Sequence, residues 1–294
     1  MTTQLRIKDG KKWELKGKIV VDLNGRMVKG KSEKWELVGY TGRKPKGKLV
    51  ILEGVTEIGE SAFEGCTGLT SLEIPSSVKA IGKDAFSRCT GLTSVEIPPS
   101  VTKIGRHVFY KCTGLTSVEI PSSVTEIGND TFSGCTGLKS IEIPSSVTEI
   151  GASAFLGCTG LKSIEIPSSV TKIGAWAFEG CTDLTSIELP SSVTKIGCYA
   201  FYKCTGLTSV EIPSSVTEIG GYAFSYCTGL KSVTILSSEI TIGEDAFKGC
   251  TQLKIVNLPK GLQKDNVLQK EYVFEEEDDE EDWLSEDDDE DDDF

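Results

Sequence analysis

A 23-residue period constrains this chain more than any other feature of its sequence. Nine cysteines follow one another at intervals of 23 residues, without an insertion or a deletion: Cys66, Cys89, Cys112, Cys135, Cys158, Cys181, Cys204, Cys227 and Cys250. Phenylalanine recurs with the same period from Phe63 to Phe247, and glycine from Gly59 to Gly243. A unit this short cannot bury its apolar side alone, so the period predicts a stack of similar coils.

Each unit predicts two short strands and a corner. The stretch L-T-S-V-E-I alternates apolar and polar residues, which is typical of a half-buried strand. The proline that follows cannot donate a ladder hydrogen bond and ends this strand. V-T-E-I predicts a second strand, and x-x-A-F-x-x-C predicts a short helical turn that places Ala, Phe and Cys on one face. With strands about 4.8 Å apart, the coils predict a stack roughly 43 Å long.

The whole pattern is L-x-x-V-x-I-P-x-x-V-x-x-I-G-x-x-A-F-x-x-C, as in Leu115 to Cys135 with Thr131 at the alanine position. This pattern resembles the BspA-like class of leucine-rich repeats over roughly residues 50–260. The resemblance implies a right-handed, curved leucine-rich-repeat solenoid of about nine coils, mainly short β-strands with short helical turns. It also implies interaction roles such as adhesion to proteins or host surfaces. We therefore predict a solenoid domain over residues 51–262.

The two ends of the chain lie outside the repeat and carry opposite charge. Residues 1–50 hold fourteen Lys and Arg against five Asp and Glu, a net charge of +9. Asn24-Gly25 between apolar stretches predicts a β-hairpin there, so we expect a basic amino-terminal β cap. Residues 275–294 hold sixteen acidic groups and no basic ones. Such a block predicts a disordered acidic tail within residues 263–294, with Trp283, Leu284 and Ser285 as a candidate recognition motif.

The residues of the chain give little support for catalysis. The cysteines are spaced unlike metal ligands and lie beside a buried Ala-Phe pair, which favours packing as small hydrophobic residues. Cys198 is the one candidate reactive thiol, and a tolerated surface substitution is the simpler interpretation. His107 is interpreted as an exposed surface residue. Because no triad, two-histidine zinc site or phosphate-binding loop is recognisable, we expect no enzyme, no metal and no cofactor.

Two sets of residues are candidate partner-binding surfaces. One outward strand position, the glutamate column, is occupied by Glu73, Glu96, Glu119, Glu142, Glu165, Glu188 and Glu211. It is either a solvated face that Lys139 and Lys162 partly neutralise, or an acidic stripe for a basic partner. The second set, the aromatic cluster, consists of Trp176, Tyr199, Tyr222, Tyr202 and Tyr226. These aromatic residues either form a binding hot spot or stabilise their column by stacking on one another.

These features favour a non-enzymatic scaffold that binds a protein partner, with a basic protein as one candidate, and no nucleic acid. The tail of charge −16 can fold back on the basic cap and compete with that partner. Two alternatives stay open: an acidic chaperone for histones or other basic proteins that acts through the tail, and a cell-surface adhesion protein. The opposite charges of the ends also allow weak head-to-tail self-association.

The hydropathy of the chain sets an expectation about location. The amino terminus has no apolar run long enough for a secretion signal, and no stretch approaches the roughly 20 apolar residues of a membrane helix. We therefore expect an intracellular protein, cytoplasmic or nuclear, without a membrane span.

Overall fold

A computed structural model describes residues 44–51, 53–260 and 262, together with the strands of the amino-terminal region. The strands of that region are β1 (Gln4–Arg6), β2 (Lys12–Glu14), β3 (Ile19–Val21), β4 (Met27–Lys31) and β5 (Lys34–Leu37). The strands that follow are β6 (Gly47–Val50), β7 (Glu57–Ile58), β8 (Leu69–Glu73), β9 (Ala80–Ile81), β10 (Ser94–Glu96), β11 (Lys103–Ile104), β12 (Ser117–Glu119), β13 (Glu126–Ile127), β14 (Glu149–Ile150), β15 (Lys172–Ile173), β16 (Lys195–Ile196), β17 (Ser209–Ile212), β18 (Glu218–Ile219), β19 (Ser232–Ile235), β20 (Thr241–Ile242) and β21 (Ile255–Asn257).

The repeat folds as a parallel β-solenoid of about nine coils, as predicted. L-T-S-V-E-I supplies one column of strands, in which Val95 pairs with Val118 and Val210 pairs with Val233. V-T-E-I supplies the other column, in which Ile150 pairs with Ile173. The partners are 23 residues apart in each case, so each paired residue meets its equivalent in the next coil. The sequence period is therefore also the contact period of the core.

The core is a set of columns of identical side chains. The rings of the nine Phe residues stack along the solenoid, with centroids of neighbouring rings 5.0–5.9 Å apart and planes within 11° of parallel. Stacked aromatic pairs contribute about 0.5–1.5 kcal/mol each beyond the area they bury. Beside them, the Cys112 thiol donates a hydrogen bond to the Phe86 carbonyl oxygen at 3.1 Å, and the equivalent cysteines from Cys89 to Cys250 repeat this contact.

The corner, the segment from the turn glycine to the cysteine, is not helical, so the predicted short helical turn is wrong. The described residues contain no helix. Alternate amides of the corner bond in two directions: Phe63 N–H donates to Ala85 O of the next coil, whereas Glu64 N–H donates to Ser61 O of its own turn. Half of the donors that a helix would use are thus committed to the neighbouring coil. In addition, Ser61 has a left-handed φ of 50°, which a right-handed helix excludes.

At the amino-terminal end, antiparallel strands extend the second column. β3 pairs with β4 and β4 with β5, and β5 lies parallel to β7. The predicted turn at Asn24-Gly25 lies outside the described residues, as does the predicted acidic tail. The sheet of the second column thus continues from the amino-terminal strands into the first coil.

The second column is split between β11 and β13, which do not pair. Elsewhere in this column the turn glycine donates a backbone hydrogen bond to the preceding coil, as Gly151 N–H does to Ile127 O at 2.8 Å. At the split, where both residues are described, Gly128 N–H makes no such bond to Ile104 O. The two coils at the split carry Val108 and Thr131 at the otherwise alanine position, and both side chains are buried. We attribute the split to these two larger, β-branched side chains. A cleft of about 440 Å³ lies there.

Candidate interaction surfaces

The aromatic cluster is one contiguous patch on the corner face. The Trp176 and Tyr199 rings stack with centroids 5.8 Å apart, and the Tyr199 and Tyr222 rings stack at 4.9 Å. Tyr202 packs edge-on against Tyr199 at 5.5 Å and against Tyr226 at 5.6 Å. Trp176 remains 42% exposed and Tyr226 40% exposed. The cluster therefore combines internal stacking with two open aromatic surfaces.

The backbone of this cluster adopts the left-handed conformation. The second residue after the turn glycine has a φ of 50–58° in all nine coils; this left-handed column is Ser61, Asp84, His107, Asp130, Ser153, Trp176, Tyr199, Tyr222 and Asp245. Asp and His tolerate the conformation comparatively well, whereas for bulky aromatic residues it is an outlier. Tyr226 is also left-handed, at a position where five other coils place glycine. Aromatic residues are thus held where the backbone disfavours them.

Charged groups border the aromatic cluster. The Lys203 Nζ lies 5.1 Å from the centroid of the Tyr202 ring, a cation–π distance. Burial raises the pKa of Glu179 above its ordinary value, and the Lys203 ammonium opposes this shift. Partial burial and the carboxylates of Glu244 and Asp245 raise the pKa of Tyr222. The cluster is therefore an apolar patch with ionic groups at its edge, the usual composition of a protein-binding surface.

His107 is not simply an exposed surface residue, because it lies between two carboxylates. Its Nδ1 is 3.3 Å from Asp84 Oδ1 and its Nε2 is 3.3 Å from Asp130 Oδ2. All three residues belong to the left-handed column, in successive coils. The sequence signal for this contact is the 23-residue spacing of Asp84, His107 and Asp130.

The glutamate column lies on the solvent side of the first strand column. Glu96 is aligned with Glu119, and Glu165 with both Glu142 and Glu188. Lys48 neutralises Glu73 at 2.6 Å, while no ion pair among the described residues joins Lys139 or Lys162 to the column. The second strand column differs: Lys172 pairs with Glu149 at 2.7 Å, and Lys195 with Glu218 at 2.8 Å. Negative charge is thus concentrated on one face.

Comparison with protein families now assigns the fold to a family. The model of the BspA type leucine-rich repeat region matches residues 46–162 and 149–277 in six copies. The chain belongs to the BspA-type leucine-rich repeat family. No curated protein sequence matches it.

Solved structures include other leucine-rich repeat proteins similar to this BspA-type chain. The leucine-rich repeat protein of T. pallidum is 30% identical, covers 70% of this chain and 87% of its own, and has a TM-score of 0.56. A leucine-rich cell surface protein from Faecalibacterium prausnitzii is 24% identical, with coverage of 85% and 97% and a TM-score of 0.42. A leucine-rich repeat protein from Bacteroides ovatus is 25% identical, with coverage of 90% and 95% and a TM-score of 0.41.

The cysteines of the BspA-type coils contribute to the core. Those that recur every 23 residues from Cys66 to Cys227 are buried, Cys250 is half-buried, and no disulfide joins any of the ten cysteines. Burial raises the pKa of Cys158 and of Cys204 from 9.0 to about 12. Cys198 is the exposed member, next to Tyr199 of the aromatic cluster. Within the described residues, no helix is long and apolar enough to cross a bilayer.

Proposed function

We propose that this protein is a non-enzymatic interaction scaffold that binds a protein partner through the aromatic cluster. The observation that carries the proposal is the exposure of Trp176 and Tyr226, at 42% and 40%, at the two ends of one contiguous set of aromatic rings. Trp and Tyr contribute most to binding energy where they are clustered and can be desolvated by a partner. Proteins of this repeat class in general serve as interaction or surface proteins.

Internal stacking accounts for only part of the cluster. Tyr199 contacts Trp176, Tyr202 and Tyr222, so its left-handed backbone, which costs roughly 1–2 kcal/mol, is offset by ring contacts. Trp176 stacks on one face alone, and Tyr226 makes a single edge contact with another ring and lies beside Gly249 of the next coil. Stability would be served as well by Asp or Ser at position 176 and by glycine at position 226, the residues used in other coils. Binding explains why large rings stand there.

The glutamate column supplies a second, electrostatic contact that favours a basic partner. Its carboxylates are exposed, and those of Glu96, Glu119 and Glu142 border a shallow concavity of about 540 Å³. Closely spaced like charges repel one another, and a basic partner would relieve that repulsion. This attraction raises the association rate more than the affinity and weakens with salt. We also propose that the acidic tail competes for the same basic partner. Deletion of residues 263–294 tests this.

The decisive experiment compares proteins retained by immobilised variants of the full-length chain. The test variant is Trp176→Ser with Tyr226→Ser, and the matched control is Tyr110→Ser, a half-buried tyrosine on the same corner face, away from the cluster. We expect the wild type and the control to retain the same partner. The test variant should retain about tenfold less of it. Circular dichroism and thermal unfolding establish that all three are folded. Equal retention by the folded test variant would contradict the proposal.

For location, we propose a reducing, intracellular compartment. Ten cysteines with no disulfide among them fit such an environment. Fractionation of the native source with an antibody to the solenoid tests this. Recovery of the chain at the cell surface would contradict it and favour the adhesion alternative.

A further inference from the structure

The left-handed column has a gap at Ser153. On one side of it, His107 contacts Asp84 of the preceding coil and Asp130 of the following coil. On the other side, Trp176, Tyr199 and Tyr222 stack in successive coils. Ser153 lies between these two sets of contacting side chains. Its own side chain is shorter than theirs, because it ends at Oγ. Tyr199 stacks on one face of the Trp176 indole, and on the other side of Trp176 the next members of the column are Ser153 and then Asp130.

The spacing of the column predicts room for one planar group at Ser153. Neighbouring rings of this column are 4.9 and 5.8 Å apart, so Asp130 and Trp176, two coils apart, are separated by about 10–12 Å along the stack. A flat group above Ser153 would keep the same distance to both neighbours that Tyr199 keeps to its own. The gap is open to solvent, because the Asp130 side chain is 30% exposed and Trp176 is 42% exposed.

The surface beside the gap also leaves space for an incoming side chain. Gly134, Gly157 and Gly180 follow one another in the adjacent column. A Cβ at Gly157 would meet only the backbone of Gly134, at 3.9 Å. A partner backbone can therefore approach the gap closely.

The two walls of the gap select the chemistry of its occupant. A carboxylate forms one wall and the π face of an indole forms the other, and both attract a cation. An aromatic ring would stack on Trp176 but would turn its negative face toward the Asp130 carboxylate. A lysine ammonium is compact, whereas a guanidinium is planar, stacks on indole and offers paired N–H donors to a carboxylate.

We propose that the gap at Ser153 is a binding site for an arginine side chain of the protein partner, held between the Trp176 indole and the Asp130 carboxylate. This inference rests on the proposed function and specifies it. The guanidinium continues the stack of Trp176, Tyr199 and Tyr222 by one layer. It also brings a cationic donor to Asp130, on the side opposite His107.

The test uses the full-length protein and capped tripeptides of the form Gly-Xaa-Gly, in which Xaa is arginine, lysine, citrulline or phenylalanine. The probe signal is the indole N–H resonance of Trp176, assigned by its loss in Trp176→Phe. We expect the arginine peptide to shift this resonance saturably and to bind roughly threefold to tenfold more tightly than the lysine peptide. Citrulline, which is planar but neutral, should bind at least as weakly as lysine.

Two variants connect the binding to the gap. Ser153→Tyr should fill the gap with a fourth ring and abolish the shift, because the same backbone conformation already carries Tyr199 and Tyr222. Ser61→Tyr, in the same column and far from Trp176, is the matched control and should bind as the wild type does. Asp130→Asn should weaken arginine binding roughly threefold or more.

Three outcomes would overturn the inference: no saturable shift with arginine, equal binding of phenylalanine, or undiminished binding to Ser153→Tyr. The proposed function is judged separately. If Ser153→Tyr retains the partner in the capture experiment while the Trp176→Ser, Tyr226→Ser variant loses it, the aromatic cluster is the binding surface and the arginine site is wrong. If neither variant loses the partner, both the proposed function and the arginine site are contradicted.

Discussion

His107 Nε2 lies 3.3 Å from Asp130 Oδ2, although the two residues are 23 positions apart in the chain. The contact crosses from one coil to the next, and Nδ1 of the same ring faces Asp84 at 3.3 Å. The side chains of His107 and Asp130 are 35% and 30% exposed, so water partly screens the interaction.

We therefore expect a modest coupling between His107 and Asp130. In a double-mutant cycle of His107→Gln and Asp130→Asn, the coupling free energy should be about 0.5–1 kcal/mol at low salt and smaller at high salt. Urea unfolding of the four proteins measures it. The cycle of His107→Gln with Glu211→Gln is the control, because Glu211 lies several coils away and shares no partner with His107 among the described residues. A coupling within error of zero for His107 and Asp130 would show that the contact contributes nothing.

The split of the second strand column predicts that two substitutions close it. Val108→Ala with Thr131→Ala restores alanine to both coils and should let Gly128 N–H bond to Ile104 O. Amide hydrogen exchange at Gly128 and Thr125 should then slow to the rate of Gly151 and Thr148, whose equivalent bonds are formed. Unchanged exchange in a folded double variant would mean that Val108 and Thr131 do not cause the split.

The turn glycines predict an unequal response to a methyl group. A Cβ at Gly174 would lie 2.6 Å from the Ala152 backbone nitrogen, whereas at Gly128 its nearest contact is Thr131 Oγ1 at 3.4 Å. Gly174→Ala should therefore lower the free energy of unfolding by roughly 2–3 kcal/mol, and Gly128→Ala by about 1 kcal/mol or less. Denaturant unfolding of both variants tests this. Equal losses would contradict the looser packing at the split.

The buried thiols predict a loss of stability at alkaline pH. Burial raises the pKa of Cys158, Cys204 and Cys250 from 9.0 to about 12 in the folded chain. The unfolded chain therefore loses these protons first, so their contribution is complete below pH 9 and is lost as the pH rises toward 12. We expect the unfolding midpoint to fall steadily across this window. The unfolding midpoint of Cys158→Ala should fall less steeply with pH than that of the wild type.

A thiol reagent provides the companion measurement. At pH 8 the native chain should expose one fast-reacting thiol, Cys198, and Cys198→Ser should expose none. Rapid modification of several thiols in the folded protein would contradict the burial of the recurring cysteines.

Much of the architecture was predictable because each residue of a solenoid meets its own equivalent. The periods of Phe63 to Phe247 and of the cysteines therefore indicated stacked coils with a phenylalanine and a cysteine packed inside each. The corner was predicted wrongly as helical, because local spacing cannot show that alternate amides bond to the next coil. His107 was misjudged for a related reason: a column that varies in residue type can still hold specific contacts between coils.

The sequence by itself determined the period, the pairing of strands and the buried columns, since these depend only on which apolar residues recur every 23 positions. The tertiary structure decided the left-handed corner, the His107 bridge between Asp84 and Asp130, the split beside Val108 and Thr131, and the open face of Trp176. Each of these depends on unlike residues meeting across a coil boundary. Their geometry follows from backbone direction and side-chain volume, which the repeat pattern does not specify.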